Sequence, residues 1–276
     1  MGKAMNYSRL TSSSNPKIKE AMDIKRRKSR TGHASFIIEG PHLIGMALSA
    51  DISINEVFFT EVFGRKEEGQ RTLRQLSKST ARIYEVAEHL LHKLAETETP
   101  QGIIAVVTHS PLPLSGLRLR DNPLLVVSDG IQDPGNLGTI LRTADAAGAD
   151  GVVILPGTCD VYMQKTIRAT AGSLFNIPVA HAAVDELINW LRANKIRLAV
   201  TASGAENSFF EADLGKPVAF VFGNEAQGVQ EDLRKAADMV LSIPIYGRAE
   251  SLNVAASAAV CLYEAARQRR WGKGKN

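Results

Sequence analysis

Between residues 124 and 243 the chain repeats one device, a short and almost unbroken apolar run followed by a stretch of helical periodicity. The runs are Leu124 to Ser128, Gly151 to Leu155, Ile196 to Thr201, Val218 to Phe222 and Met239 to Ile243. Helices are expected at Leu137 to Ala147, near 163–172, 184–194 and 229–237, and in a long element from about 253 to 269. Strands apolar on both sides need cover on both sides, so the pattern predicts an α/β fold with a parallel sheet between two layers of helices. Open parallel sheets bind ligands in the loops beyond the carboxyl ends of their strands. The chemistry is therefore sought in those loops.

A smaller α/β unit is expected ahead of this sheet. Strands at Ser35 to Ile38, Glu56 to Thr60, Arg82 to Val86 and Gly102 to Val107 alternate with helices at Pro41 to Ala50, 67–78 and His89 to Glu96. A basic helix over 15–30 precedes them, opened by Asn15 with Pro16 at its first position. The stretch from Ser110 to Gly116 holds two prolines, a glycine and two serines, which is linker chemistry. The predicted organisation is an N-terminal domain over 1–110, a linker over 111–122 and a second domain over 123–276.

Charge divides unevenly along the chain. Residues 1–30 carry nine Lys/Arg against Glu20 and Asp23, and residues 265–276 carry Arg267, Arg269, Arg270, Lys273 and Lys275 with no acid. The chain as a whole sums to +4, so the stretch between is acidic. Basic ends suit a polyanion gripped from both sides, with Lys25, Arg26, Arg27 and Lys28 as the candidate contacts; solvated tails are the plainer alternative. Cys159 and Cys261 stand too far apart for a metal motif and too few for a disulfide framework, which fits a reducing cytoplasm. No apolar run approaches the ~18 residues of a membrane span, and the start lacks the apolar core of a secretory signal. The six histidines show no metal-type pairing, and Cys261 reads as a small core residue.

Three strand-to-helix loops carry unusual residues. The first runs from Ser128 to Arg142 and contains Asp133-Pro134-Gly135-Asn136. Asn136 is a good N-cap, and Arg142 lies two turns in beside Ile140 and Leu141, where a charge needs a partner. The second is Phe222-Gly223-Asn224-Glu225-Ala226-Gln227-Gly228, a glycine-bearing turn with a carboxylate. The third, Ile243 to Val260, delivers Ser251 and Asn253 at the start of a helix rich in small residues. Each alone reads as a helix cap or a turn. A nucleotide-dependent dehydrogenase would need G-x-G-x-x-G, which is absent.

In this order and spacing the three loops, N-x-G-x-x-x-R, F-G-N-E-x-x-G and I-P-I-x-G-x-x-x-S-L-N-V-A, closely resemble the motifs of the SpoU (TrmH-like) branch of the SPOUT RNA methyltransferases. The resemblance spans about residues 123–268. Residues 15–110, with Phe36-Ile37-Ile38-Glu39-Gly40-Pro41-His42-Leu43-Ile44, resemble that family's ribosomal-protein-like (L30e-type) substrate-binding domain. The resemblance implies methyl transfer from S-adenosylmethionine to a ribose 2′-hydroxyl of structured RNA, ribosomal rather than transfer RNA, without a metal. It also implies a deep C-terminal trefoil knot and a homodimer that completes each site. Carried over by position, Asn136, Arg142, Glu225, Ser251 and Asn253 form the reaction centre. Thr201, Phe222, Gly223, Asn224, Ile243 and Leu252 line the cofactor site, and Arg168 lies near RNA.

The chemistry needs a weakly acidic hydroxyl aimed at a methyl sulfonium and a route for its proton. The resemblance implies Arg142 as general base, against a guanidinium pKa above ~12. Either its surroundings let it shed a proton transiently, or it clamps a phosphate and water takes the proton. A non-catalytic RNA-binding member of the fold is the other reading. It would be expected to lose Asn136, Arg142 or Asn253, and all three are present.

Overall fold

The structure is a computed structural model that describes residues 7–26, 34–202, 204–205 and 207–271. The chain divides into two compact units at Ser110/Pro111.

In the first unit the elements run β1 (Ser8–Leu10), α1 (Pro16–Arg26), β2 (Ala34–Glu39), α2 (Pro41–Ser49), β3 (Ser53–Thr60), α3 (Glu61–Arg65), α4 (Glu67–Leu76), β4 (Arg82–Val86), α5 (Glu88–Leu94) and β5 (Ile103–His109). They build a sheet of order β1-β4-β3-β5-β2. The pairs β1–β4 and β3–β4 are parallel, and β5 runs antiparallel to both β2 and β3. Asn15 caps α1 by accepting from the Lys17 N–H at 2.9 Å. Ile18, Ala21 and Ile24 recur every three positions on α1 and are buried with Leu90, Leu91 and Leu94 of α5 against Phe58 and Ile104.

The cations of α1 are not all available to a partner. The Lys17 ammonium pairs with buried Glu56 at 2.7 Å. The Lys25 ammonium donates to the carbonyls of Lys93, at 2.9 Å, and Ala95, so it caps the C-terminus of α5. Of the expected basic cluster, Arg26 is exposed, while Arg27 and Lys28 lie outside the described residues.

The second unit runs β6 (Leu124–Asp129), α6 (Pro134–Ala147), β7 (Gly151–Ile154), α7 (Gln164–Thr170), β8 (Val179–His181), α8 (Val184–Ala193), β9 (Arg197–Thr201), β10 (Asn207–Ser208), β11 (Val218–Gly223), α9 (Glu231–Ala236), β12 (Met239–Ser242) and α10 (Val254–Trp271). Its sheet has the order β10-β12-β9-β11-β6-β7-β8, with every pair parallel. The strand order reverses between β6 and β11, so the loops that follow these neighbours diverge there. Val126, Val127, Val152, Val153, Phe220 and Val221 are fully shielded from solvent, as the apolar runs require.

Residues 111–122 are not a free linker. Leu112 pairs with Ala180, Leu114 and Leu117 are buried in the core with Leu125 and Val153, and Arg120 binds buried Asp150. Prolines keep the segment out of a regular strand, yet its leucines remain apolar enough to pack.

At the C-terminus the expected phosphate-gripping arginines divide in the same way. The Arg269 guanidinium donates to the carbonyls of Asn122 (2.8 Å), Pro123 (3.2 Å), Leu214 (3.0 Å) and Lys216 (2.6 Å). Burial lowers its pKa to about 10. Arg267 pairs with Glu264 at 2.7 Å. These contacts and the small-residue face of α10 (Ala255, Ala258, Ala265), which packs with α6, dock the last helix within its own unit.

Candidate active site

The loop after β6 begins with a buried carboxylate. Asp129 accepts from the Gln230 backbone N–H at 2.8 Å and from its side-chain amide at 2.5 Å, tying the loop after β6 to the loop after β11. Helix α6 then starts one residue beyond Asp133. The expected Asn136 cap is thereby corrected: Asp133 is the N-cap, accepting from the Asn136 N–H at 2.9 Å, because Pro134 occupies the first helical position. Asp133 also binds Lys165 at 2.8 Å. Lys165 first, and the Asn136 N–H with it, hold this carboxyl below the usual range.

Freed from capping, the Asn136 side chain works outward. Its Nδ2 donates to Glu225 at 2.9 Å, and its Oδ1 accepts from Asn253 Nδ2 at 3.0 Å. Asn253 meanwhile caps α10 through its own Oδ1, accepting from the Ala255 N–H at 2.9 Å. Glu225 also accepts the backbone N–H groups of Gln132 and Asp133, at 3.3 and 3.4 Å. Burial alone would raise the Glu225 carboxyl. The hydrogen bond from Asn136 and the backbone donors outweigh it and hold the group below its ordinary value, as a carboxylate.

Two glycines of the motifs are explained by contact. A Cβ on Gly138 would lie 2.5 Å from Ala169 Cβ and 2.6 Å from the Thr166 carbonyl oxygen, so α6 and α7 touch there through backbone. A Cβ on Gly223 would fall 2.3 Å from the Gly228 carbonyl carbon, because the 224–228 turn folds back onto the end of β11. Asn224 fixes that turn. Its Oδ1 accepts from the Ala226 and Gln227 N–H groups at 2.9 Å, and its Nδ2 donates to the Gly130 carbonyl at 2.8 Å.

Arg142 departs from expectation. Leu137, Ile140, Leu141 and Ala144 form the buried stripe of α6, whereas Arg142 is exposed and makes no hydrogen bond or ion pair among the described residues. It is not a salt-bridged core arginine. Arg168 is likewise exposed, on α7.

At the carboxyl ends of β9, β11 and β12 lie two adjoining cavities of about 360 and 520 Å³. Thr201, Ser251 and Leu252 border both; Ile243 borders the smaller one, and Phe222, Gly223, Asn224, Glu225 and Asn253 the larger. The Phe222 ring is buried beside Phe220, so its offering to the cleft is main chain. These volumes fall within the ~300–1,000 Å³ of small-molecule sites. Main-chain groups, aliphatic walls and a few hydroxyls suit a nucleoside with a short tail, so the residues present fit S-adenosylmethionine.

The SpoU rRNA Methylase family matches residues 123–263, the stretch that contains all three loops. This chain belongs to that family. Residues 15–105 match an MRM3-like substrate binding domain. Among relatives of this SpoU chain, the 23S rRNA (guanosine(2553)-2′-O)-methyltransferase RlmP of Bacillus subtilis is 35% identical over 254 residues, 92% of this chain and 97% of that one. A 23S rRNA (uridine(2479)-2′-O)-methyltransferase of Streptomyces viridochromogenes is 32% identical over 259 residues, 90% of this chain and 88% of that one. An AdoMet-bound rRNA methyltransferase from Sinorhizobium meliloti superposes with a TM-score of 0.84 at 31% identity, covering 95% of this chain and 98% of that one.

The SpoU site also holds residues that the motifs did not single out. Asp129, Gln132, Asp133 and Gln230 organise its loops, and Arg234 borders the larger cavity. Burial pushes the thiols of Cys159 and Cys261 up, to about 11 and about 12, which suits neither for nucleophilic work. Among the described residues no helix is long and apolar enough to cross a membrane.

Proposed function

We propose that this SpoU-family chain transfers a methyl group from S-adenosylmethionine to a ribose 2′-hydroxyl of ribosomal RNA. The observation that carries the reading is the hydrogen-bonded line Asn253–Asn136–Glu225, which joins the three motifs beside the cleft. Several relatives are 23S rRNA 2′-O-methyltransferases, which supports ribosomal over transfer RNA.

When bound, the cofactor supplies an electrophilic methyl. Thr201, Phe222, Gly223, Asn224, Ile243 and Leu252 hold it, largely through backbone and aliphatic contacts. The protein must then aim the 2′-oxygen and give its proton a way out. Asn136, locked between Asn253 and Glu225, and Ser251 at the cleft wall orient the ribose. A carboxylate held below its ordinary range is a poor base, and so is a guanidinium with a pKa above ~12. Glu225 therefore positions Asn136, Arg142 clamps a phosphate beside the target ribose, and water accepts the proton.

The first unit and Arg26, together with Arg168 on α7, supply further RNA contacts in this reading. A threaded C-terminal segment and a symmetric dimer complete it. Support for the knot comes from the family match over residues 123–263, with Ile243–Ile245 and Glu250–Leu252 on one cavity wall beside Thr201 and Gly204 and Arg269 bound to the Leu214 and Lys216 carbonyls. Tyr246, 91% exposed, and Tyr263, 54% exposed, offer apolar surface to a second copy. Light scattering should then give about twice 29.9 kDa. The location proposed is the cytoplasm, where the RNA is.

The test is to map 2′-O-methylated positions in total RNA from cells with and without the protein. One ribosomal position should lose its mark when the gene is removed. An unchanged map would overturn the assignment.

A further inference from the structure

We propose that Arg234 binds the α-carboxylate of the amino-acid tail of S-adenosylmethionine. The inference rests on the methyltransferase reading above and adds a residue that no motif singles out.

The walls of the two cavities carry a single cationic side chain among the described residues, that of Arg234. It lies in the last turn of α9. That helix is held at its N-cap, where Gln230 is bound to buried Asp129, and along its inner face, where Leu233 is fully buried. The neighbouring Lys235 has an acid partner in Glu231 at 3.6 Å. The Arg234 guanidinium makes no hydrogen bond or ion pair among the described residues, although it stands at the edge of a cleft.

A planar, always-charged fork beside a small-molecule cavity is matched by a planar anion, and a carboxylate accepts two parallel N–H groups from it. Phosphates of the RNA are the competing source of negative charge. The cations suited to them, Arg142 on α6 with Lys165 and Arg168 on α7, border neither cavity. Arg234 is the one that does. The cavities also present Glu225 and Glu250, which suit the ammonium and sulfonium of the same zwitterionic ligand.

The experiment is calorimetry on the full chain with S-adenosylhomocysteine and with 5′-methylthioadenosine, which keeps the nucleoside but lacks the amino-acid tail. Arg234→Ala should weaken S-adenosylhomocysteine roughly 10- to 100-fold, the worth of a charged hydrogen-bonded pair, and leave methylthioadenosine unchanged. Arg234→Lys, which keeps charge without the fork, should fall between. If wild type binds neither compound, the methyltransferase reading fails and takes this proposal with it. If wild type binds S-adenosylhomocysteine and Arg234→Ala binds it equally well, only the Arg234 assignment is overturned. An equal loss for both compounds, or a loss confined to RNA affinity and its salt dependence, also overturns it.

Discussion

Asn253 reaches Asn136 across 117 positions of sequence, its side-chain nitrogen donating to the Asn136 oxygen at 3.0 Å. Asn136 passes the arrangement on to Glu225, so each motif fixes the next. Asn136→Asp would replace the donor facing Glu225 by a second carboxylate. Methyl transfer should fall about 100-fold or more, as small misplacements at a reacting centre do. The melting temperature should barely move, since the pair is solvent-exposed. Single-turnover kinetics beside a thermal melt separates the two effects.

Among the described residues the fold takes no hydrogen bond or ion pair from the exposed Arg142 side chain. Arg142→Ala should melt like wild type, bind S-adenosylhomocysteine normally and lose methyl transfer. Arg142→Lys should recover part of the RNA affinity and little of the rate, because lysine lacks the bidentate fork. A folded Arg142→Ala protein methylating at the normal rate would remove this residue from the reaction centre.

Lys25 and Arg26 are adjacent and should behave oppositely. Loss of the Lys25 ammonium uncaps α5, and Lys25→Ala should destabilise the first unit by about 1–2 kcal/mol. Arg26→Ala should leave stability alone and reduce the slope of RNA affinity against salt by about one unit. Urea titrations and binding at several salt concentrations check both.

Gly138→Ala tests the contact between α6 and α7. The new methyl would meet the backbone of Thr166 and the Ala169 side chain. Overpacking of this kind costs about 1–3 kcal/mol, and it would displace α6, which carries both Asn136 and Arg142. Stability and rate should therefore fall together, unlike Asn136→Asp.

The Arg120–Asp150 pair sets an acid-side dependence. Burial alone would raise the Asp150 carboxyl, but hydrogen bonds from Arg120 and the Leu124 N–H hold it below its ordinary value. A folded pKa below the unfolded one gives stability that is present above the unfolded value, ~3.9, and lost as pH falls through the depressed one. Asp150→Asn should be less stable than wild type by about 2–3 kcal/mol at neutral pH, with the gap closing below about pH 4. Urea midpoints at both pH values decide; a gap independent of pH would contradict the assignment.

Most of the second sheet was legible because its strands are continuous apolar runs, and periodicity is strongest there. Val179–His181, two buried residues and an exposed histidine, is too short to register as a strand. Asn136 reads from the sequence as the helix cap, and the structure gives that cap to Asp133. Asp133 and Asn136 can both cap, and Pro134 at the first helical position decides between them. The exposure of Arg142 could have been read from the 137–140–141–144 spacing, which leaves it outside the buried stripe. The capping role of Lys25 and the carbonyl ring around Arg269 had no local signal. Both depend on main-chain atoms brought from 53 or more positions away, and a charge count treats every cation as free.

The position of Asn253 imposes an order on the making of the enzyme. Chains emerge from the ribosome N-terminus first, and early segments fold before late ones exist. When β11 and its turn have formed, Asn136 and Glu225 can already meet, yet the residue that locks Asn136 from the other side belongs to the start of α10. That helix in turn is anchored through Arg269, sixteen residues later still. A chain without α10 therefore lacks the donor that holds Asn136 from the side opposite Glu225. The clasp closes only when α10 docks, so the loop after β6 takes its final arrangement from a segment made 117 positions later.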